Sequence, residues 1–302
     1  MSAQRAIGVD VGGTKILAGV VDREGNVARQ VERPTPRDSQ DELLAELESV
    51  VEGLLAEEAA ATLGFGIPST IDQRSGRAVS SVHVPLADID FRDRMAARFG
   101  LPVAIDNDGN AAAIAEWRFG AGRGTSHMVL LTLGTGIGGG LILDGRPYRG
   151  SIGAGAELGH IVLEYGGRPC GDGCTGRGHF EAVAAGPAAD AAARRRFGEA
   201  SKARDLVEAA RNGDAGARED LAELGHRLGA GIASLVNVFN PEVVVLGGGF
   251  AAARELILAP ARETIARECL RPGRDLVRIE WAALGPKAGM VGAGLVGFEA
   301  LE

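Results

Sequence analysis

The sequence predicts an α/β protein of two domains built on a duplicated plan, and three observations carry that prediction. Strand-like and helical segments alternate along 302 residues, a length that suggests about two domains. Apolar residues make up 45% and charged residues 24%, which suits a soluble globular chain with ample core material. The third is an internal echo. Residues 9–22 (VDVGGTKILAGVVD) and 131–144 (LTLGTGIGGGLILD) share one layout: an apolar strand, a Gly/Thr turn, a second strand, then a short turn ending in Gly25 or Gly145.

Residues 6–11 and 16–21 read as buried strands joined by the Gly12-Gly13-Thr14 turn, and 27–31 as a third strand. Residues 38–60 carry Leu43, Leu44, Leu47, Val50, Val51, Leu54 and Leu55 at helical spacing behind Asp38 and Ser39. A strand over 61–67 ends at Pro68, and another over 101–105 leads to a helix over 111–119. Residues 128–133 and 141–143 make the second strand–turn–strand. Residues 187–238 are mainly helical, and the strand 242–246 runs into Gly247-Gly248-Gly249. A helix over 251–270 is expected to break or kink at Pro260, before a strand over 276–281 and a closing helix over 288–301.

A net charge of −8 argues against a nucleic-acid partner, which would need a basic face. No segment reaches the roughly 18 apolar residues of a membrane span, and the first residues enter a strand at once, so a cytoplasmic protein is expected. Only Lys15, Lys202 and Lys287 are lysines, so each is unlike filler. Three cysteines in a reducing compartment argue against a disulfide framework.

Glycine, with 46 residues, is about twice as common as the usual share of roughly 7%. The dinucleotide pattern G-x-G-x-x-G occurs from Gly134, Gly171 and Gly292. It requires a strand before it and a helix after it. A strand follows Gly134, a Cys/His cluster follows Gly171, and Gly292 lies inside the last helix, so all three fail. The P-loop pattern is absent as well. What remains is a phosphate held by hairpin turns, whose backbone N–H groups an oxygen can approach where side chains are missing. Gly12, Gly13, Thr14 and Lys15 form one such turn and Gly134, Thr135 and Gly136 the other. Asp10 is placed to hold Mg²⁺ through water.

Asp10-Val-Gly-Gly-Thr-Lys15, Asn107-Asp108-Gly-Asn110, Leu133-Gly-Thr-Gly-Ile-Gly-Gly-Gly140 and Glu157-Leu-Gly-His160 occur together and in the order found in ROK-family sugar kinases, which the chain resembles over nearly its whole length. The resemblance implies an actin-like ATPase (ribonuclease H-like) fold, hexose and ATP with Mg²⁺ as ligands, and a homodimer. It is nearest to the bacterial glucokinases of that family, which phosphorylate the sugar 6-hydroxyl. Residues 1–117, rejoined by 288–302, would form the small domain and 118–287 the large one, with the sugar in the cleft between and closure excluding water. Gly248 and Gly249 would face the ribose or adenine end of the nucleotide.

Residues 106–110 follow a strand and open a helix, so Asn107 and Asp108 suit a capping cluster as well as a ligand crevice. The resemblance makes Asp108 the catalytic base and Asn107 a sugar ligand, with Asp106 and Asn110 shaping the loop. It also assigns Glu157, His160 and Glu181 to sugar hydroxyls. Two departures stand out. Gly155-Ala156-Glu157 replaces the usual Ala-Gly-Glu, and Ser69 stands where glycine is usual after Pro68, bringing a hydroxyl near the expected sugar.

His160, Cys170, Cys174 and His179 are a set that can close a tetrahedral zinc site, with the loop over 160–181 rich in glycine. The resemblance expects one His and three Cys. Cys174 and His179 fall on the last two of those cysteine positions, Asp172 on the first, and Cys170 lies two residues earlier, leaving Asp172 as a fifth candidate. Such a metal would be structural, with His160 binding it through one ring nitrogen and a hydroxyl through the other. His83, His127 and His226 have no partners readable from sequence. Two alternatives stay open: a kinase for mannose, fructose or an N-acetylhexosamine, able to use polyphosphate, and a non-catalytic sugar-sensing protein. The family's repressors carry an N-terminal helix-turn-helix, for which the motif at Asp10 leaves no room.

Overall fold

A computed structural model describes residues 4–171, 173–249 and 253–302, and Asp172 lies outside them. The chain divides into two compact units. One comprises 1–124, 140–156 and 282–302, the other 125–139 and 157–281.

In the first unit, β1 (Arg5–Val11), β2 (Lys15–Asp22), β3 (Val27–Pro34), α1 (Gln40–Glu57) and β4 (Thr62–Ile67) are followed by a small three-stranded sheet of β5 (Thr70–Asp72), β6 (Arg77–Ser80) and β7 (Ala87–Ile89). Then come α2 (Phe91–Phe99), β8 (Val103–Asn107) and α3 (Asp108–Phe119). The main sheet runs β3-β2-β1-β4-β8, antiparallel through β3, β2 and β1 and parallel from β1 to β4 to β8.

Alternation along β1 and β4 separates two faces. Ile7, Val9, Val11, Leu63, Phe65 and Ile67 join Leu43, Leu44, Leu47, Val50, Val51 and Leu54 of α1 in one core. The opposite face presents Gly8, Asp10, Gly64 and Gly66. It is covered by α3 and by α10 (Ala288–Glu299), a helix buried on nearly every side.

The glycines let backbones touch there. A Cβ on Gly8 would overlap the Met290 carbonyl, one on Gly64 the Ala293 carbonyl, and one on Gly292 the Ala111 carbonyl. Gly64→Ala is therefore expected to destabilise the protein by about 1–3 kcal/mol. Gly53→Ala, at an exposed position of α1 with open space around it, should be neutral or stabilising. Thermal unfolding of the two variants checks the contrast.

The second unit holds β9 (Met128–Leu133), β12 (Pro169–Gly171), β13 (Cys174–Arg177), α4 (Phe180–Ala184), α5 (Gly186–Phe197), α6 (Ala203–Arg211), α7 (Ala215–Phe239), β14 (Val243–Gly247), α8 (Arg254–Glu268), α9 (Gly273–Leu276) and β15 (Arg278–Trp281). Strand β10 (Ile137–Leu143) carries the chain across the division between Gly139 and Gly140, and β11 (Arg146–Pro147) follows it. The second sheet runs β11-β10-β9-β14-β15, with β9, β14 and β15 parallel. Its order repeats the first sheet's, third strand to fifth, so the echo read from sequence is a duplicated α/β architecture.

Residues 118–124, 140–156 and 282–287 group with the first unit, where the sequence reading placed them in the large domain. One reason is Gly140, against which the Gly109 carbonyl and Ala113 of α3 are packed. Another is the buried carboxylate of Glu116 on α3, which accepts N–H groups from Ala121, Ala283 and Leu284. The helix α8 runs continuously through Pro260, without the break expected there. Gly225 and Gly229 of α7 receive the Ile257 and Ala261 carbonyls, so tight helix packing holds the segment together. The expected helical residues 251 and 252 lie outside the described ones. No described helix is long and apolar enough to cross a membrane.

Candidate active site

In the first unit the β1–β2 turn closes through the Gly12 N–H, which donates to the Lys15 carbonyl at 2.9 Å, so that donor is already used. The Thr35 hydroxyl and N–H tie the turn to the rest of the unit through the carbonyls of Gly12 and Thr14. The N–H groups of Gly13 and Thr14 take no hydrogen bond among the described residues. Lys15 is exposed and its ammonium lies 2.9 Å from Glu32. Exposed pairs of this kind contribute only about 0–1 kcal/mol, so the lysine is readily recruited by a stronger anion.

Asp10 ends on the face covered by α10, and Gly289 in the first turn of that helix fits directly against its carboxylate, with no room for a Cβ. The positive end of a helix favours an anion there. Burial, and then the nearby Asp108 charge, nevertheless push the Asp10 carboxyl up to about 7, against the pull of Lys15.

Asn107 is the N-cap of α3, its side-chain oxygen accepting from the N–H of Gly109 at 2.9 Å and of Asn110 at 3.4 Å. The capping reading is thus correct, and it leaves the Asn107 amide NH₂ as the available donor. Asp108 is the first residue of α3 and accepts from the Gly109 N–H at 2.9 Å. Burial raises its pKa above the ordinary carboxylate value, opposed by that N–H and by His83.

Asp106 is fully buried. It accepts from the Asn107 N–H at 2.8 Å, the Asn110 amide at 2.9 Å and Arg149 Nε at 2.6 Å. Arg149 in turn grips both Glu299 oxygens at 2.9 Å. The loop carrying Asn107 and Asp108 is therefore fixed by an ion-pair chain reaching α10, a restraint sequence reading missed because its members are far apart in the chain. Ser69 is buried, and its hydroxyl donates to the Ser80 carbonyl at 2.7 Å. Its proton serves the small sheet.

In the second unit the Gly134 N–H donates to the Gly136 carbonyl at 2.9 Å, closing the β9–β10 turn, and Thr135 at its tip is exposed. The N-terminus of α5 abuts this turn, with the Gly186 N–H donating to the Gly134 carbonyl at 2.9 Å. Gly248, at φ +89°, packs onto the Leu133 backbone, a conformation and a closeness that only glycine accepts. The two glycine turns thus lie side by side. Next to Gly249 opens a cavity of about 430 Å³, walled by Ala253 and by Ala203, Arg204, Val207 and Glu208 of α6. Its size suits a small ligand.

Glu181, in the first turn of α4, joins two features. One oxygen accepts from the Ile137 N–H at 3.2 Å, against Gly136, and the other lies 3.0 Å from the Cys170 thiol. Burial and this carboxylate push the Cys170 thiol's pKa up. His160, Cys170, Cys174 and His179 each offer a ligand atom, and all four atoms lie within 4.8 Å of one another. The two Nδ1 atoms are 3.1 Å apart, and the sulfur–nitrogen separations are 3.6 to 3.8 Å. A tetrahedron with Zn–N near 2.0 Å and Zn–S near 2.3 Å has edges of roughly 3.3–3.8 Å, so the set fits that ion. Nδ1 of His160 faces the cluster, leaving Nε2 for another partner.

Glu157 is exposed just before the short 3₁₀ turn Leu158–His160. Ala156 before it sits at φ +65°, in the left-handed region where glycine is favoured. The departure noted in the sequence therefore carries strain of about 1–2 kcal/mol beside a candidate ligand.

A family model described as the ROK family matches residues 6–297. A glucokinase of Streptomyces coelicolor is 34% identical, the match spanning 95% of each chain. Among solved structures, a ROK-family glucokinase from Streptomyces griseus in complex with glucose and AMPPNP has a TM-score of 0.85 at 34% identity, covering 98% of this chain and 99% of that one. A ROK hexokinase from Thermus thermophilus has a TM-score of 0.86 at 35% identity, covering 99% of both. With its duplicated, actin-like ATPase architecture, the chain belongs to the ROK family.

Proposed function

We propose that the protein is a glucokinase, transferring the γ-phosphoryl group of ATP to the 6-hydroxyl of glucose. The observation that carries this reading is the pairing, within one unit, of a buried carboxyl at a helix start with an open glycine turn. Asp108 is the base, and the Gly12–Lys15 turn is the phosphate cradle. A solved relative, the Streptomyces griseus glucokinase in complex with glucose and AMPPNP, supports it.

Asp108 takes the hydroxyl proton as the sugar oxygen bonds to phosphorus and the ADP oxygen leaves. A raised pKa makes it a better base at neutral pH. Asn107, with its oxygen held as a cap, donates its amide to a sugar hydroxyl. Glu157, His160 through Nε2, and Glu181 select the remaining hydroxyls, while Ser69 acts on them only as an acceptor. The N–H groups of Gly13 and Thr14, with Lys15 drawn from Glu32, hold phosphate oxygens. In the β9–β10 turn, which the Gly134 N–H closes onto the Gly136 carbonyl, Thr135 and Gly136 are the phosphate donors. The cavity beside Gly248 and Gly249 takes the base and ribose.

Two mutually repelling carboxyls, Asp10 and Asp108, are a hard-oxygen donor set that a cation relieves, so Asp10 would hold Mg²⁺ through water. Bound Mg²⁺ supplies charge neutralisation of the phosphates. Zn²⁺ at His160, Cys170, Cys174 and His179 would supply rigidity to the loop bearing His160 and Glu181. The resemblance extends the reading to a cytoplasmic homodimer.

A coupled assay of one preparation against glucose, mannose, fructose, N-acetylglucosamine and N-acetylmannosamine, with ATP and with polyphosphate, tests the proposal. The highest kcat/KM is expected for glucose with ATP. A higher value for another sugar or donor reassigns the substrate, and no turnover with any pair overturns the kinase reading.

A further inference from the structure

His83 is a side chain that the reading above leaves unused, yet the fold presents it to the groups that reading depends on. The Ser81 hydroxyl donates to the Pro68 carbonyl and accepts the N–H groups of His83 and Val84, each at 3.2 Å. Val84 and Leu86 are buried in the core just beyond. The backbone is thus pinned on both flanks, and His83 stands exposed between them.

Gly13, in the turn read as the phosphate cradle, packs against this residue. A Cβ placed on Gly13 would lie 3.6 Å from both the Cβ and the carbonyl oxygen of His83. Because Gly13 has no side chain, the ground between the turn's N–H groups and the imidazole is open. His83 also lies within electrostatic reach of Asp108, whose carboxyl it favours in the ionised form. The ring makes no hydrogen bond among the described residues. An imidazole with both nitrogens uncommitted, anchored next to the turn's backbone donors, is suited to an anion that is present only while substrate is bound.

We propose that His83 is a catalytic residue of the transfer, its ring N–H donating a hydrogen bond to an oxygen of the phosphoryl group as that group passes from ATP to the sugar. This rests on the reading of Gly12–Lys15 as the phosphate cradle. The donor completes the turn from the side opposite the backbone and stabilises charge that builds on the equatorial oxygens.

Steady-state kinetics of His83→Ala, His83→Gln and Gly13→Leu test it, together with the affinity of each for MgADP and tetrafluoroaluminate in the presence of glucose. His83→Ala is expected to lose about 100-fold in kcat with the KM for glucose little changed, the signature of an interaction made only in the transition state. Its affinity for the fluoroaluminate complex should fall by a similar factor. His83→Gln, which keeps an N–H donor, should recover most of the loss. Normal turnover in His83→Ala overturns the proposal, as does an equal loss in both histidine variants with a lowered melting temperature, which marks a structural role. Gly13→Leu reports on the cradle separately. A raised KM for ATP there, alongside normal turnover in His83→Ala, removes His83 and keeps the cradle. An unchanged KM for ATP removes the cradle and this proposal with it.

Discussion

Asp108→Asn is expected to lower kcat by about 10²–10⁴-fold while glucose still binds, because the amide keeps the shape and the acceptor of the helix start but cannot take a proton. The side chain's structural contacts are modest. It accepts the neighbouring Gly109 N–H, a bond that the Asn107 cap duplicates. Removing a carboxylate from a buried position beside Asp10 should leave stability unchanged or improved, since burial and that neighbour both oppose the charge.

The pH dependence follows in sign. A base must be ionised, and Asp108 has a pKa above the ordinary carboxylate value, so activity falls as pH drops through that raised value. This acidic limb should vanish from the residual activity of the variant. Kinetics over pH, with glucose affinity measured by calorimetry, give the check. Turnover within tenfold of the natural protein would exclude Asp108 as the base.

Loss of the metal is expected to have the second largest effect. One zinc per chain should be found by elemental analysis, falling below about half in Cys174→Ala. Cys174 lies 3.6 Å from His179 and 3.8 Å from His160, so its removal opens one corner of the tetrahedron. The consequence for the sugar would be direct, because His160 would be a ligand and Glu181 touches the Cys170 thiol. The KM for glucose should rise by at least about tenfold with the KM for ATP nearly unchanged, since two groups proposed to bind sugar hydroxyls would lose their fixed positions. Structural zinc contributes several kcal/mol to a folded domain. At about 2–4 °C per kcal/mol the melting temperature should drop by roughly 10 °C or more. Full activity in protein holding less than half a zinc per chain would remove the metal from the account.

Contiguous features were the legible ones. A strand, a tight turn and a second strand occupy fourteen consecutive positions, so the duplication could be read from residues 9–22 and 131–144 before any coordinates. The Cys/His loop and the residues opening α3 are likewise local. Features made by distant partners were not legible. The clasp of Asp106 by Arg149 and Glu299 joins three parts of the chain, and nothing near Asp106 announces it.

The glycines show the same divide. Those at 12, 13, 134 and 136 sit in turns as expected, but Gly8, Gly64 and Gly292 serve backbone contact between β1, β4, α3 and α10. In the sequence Gly292 stands out only as part of a nucleotide pattern that fails. The strands β5 to β7 have three or four residues each, too few for a periodic signal. His83 is legible only in the fold, which sets it against Gly13, seventy residues away in the sequence. Conversely, Pro260, where the sequence predicts a break or kink, lies within a continuous α8 that packs onto glycines of α7.

The placement of α10 bears on how this molecule comes into being. The helix fills the face of the sheet on which Asp10 stands, yet it is separated from β1 by the whole of the second unit. During synthesis the earlier strands must wait with that glycine-lined face only partly covered by α3, because α10, the wedge that closes it, has not been made. The unit synthesised in the middle can therefore mature before the one that begins the chain, the reverse of the usual order on the ribosome. Competence for catalysis would then be among the last properties the nascent protein acquires.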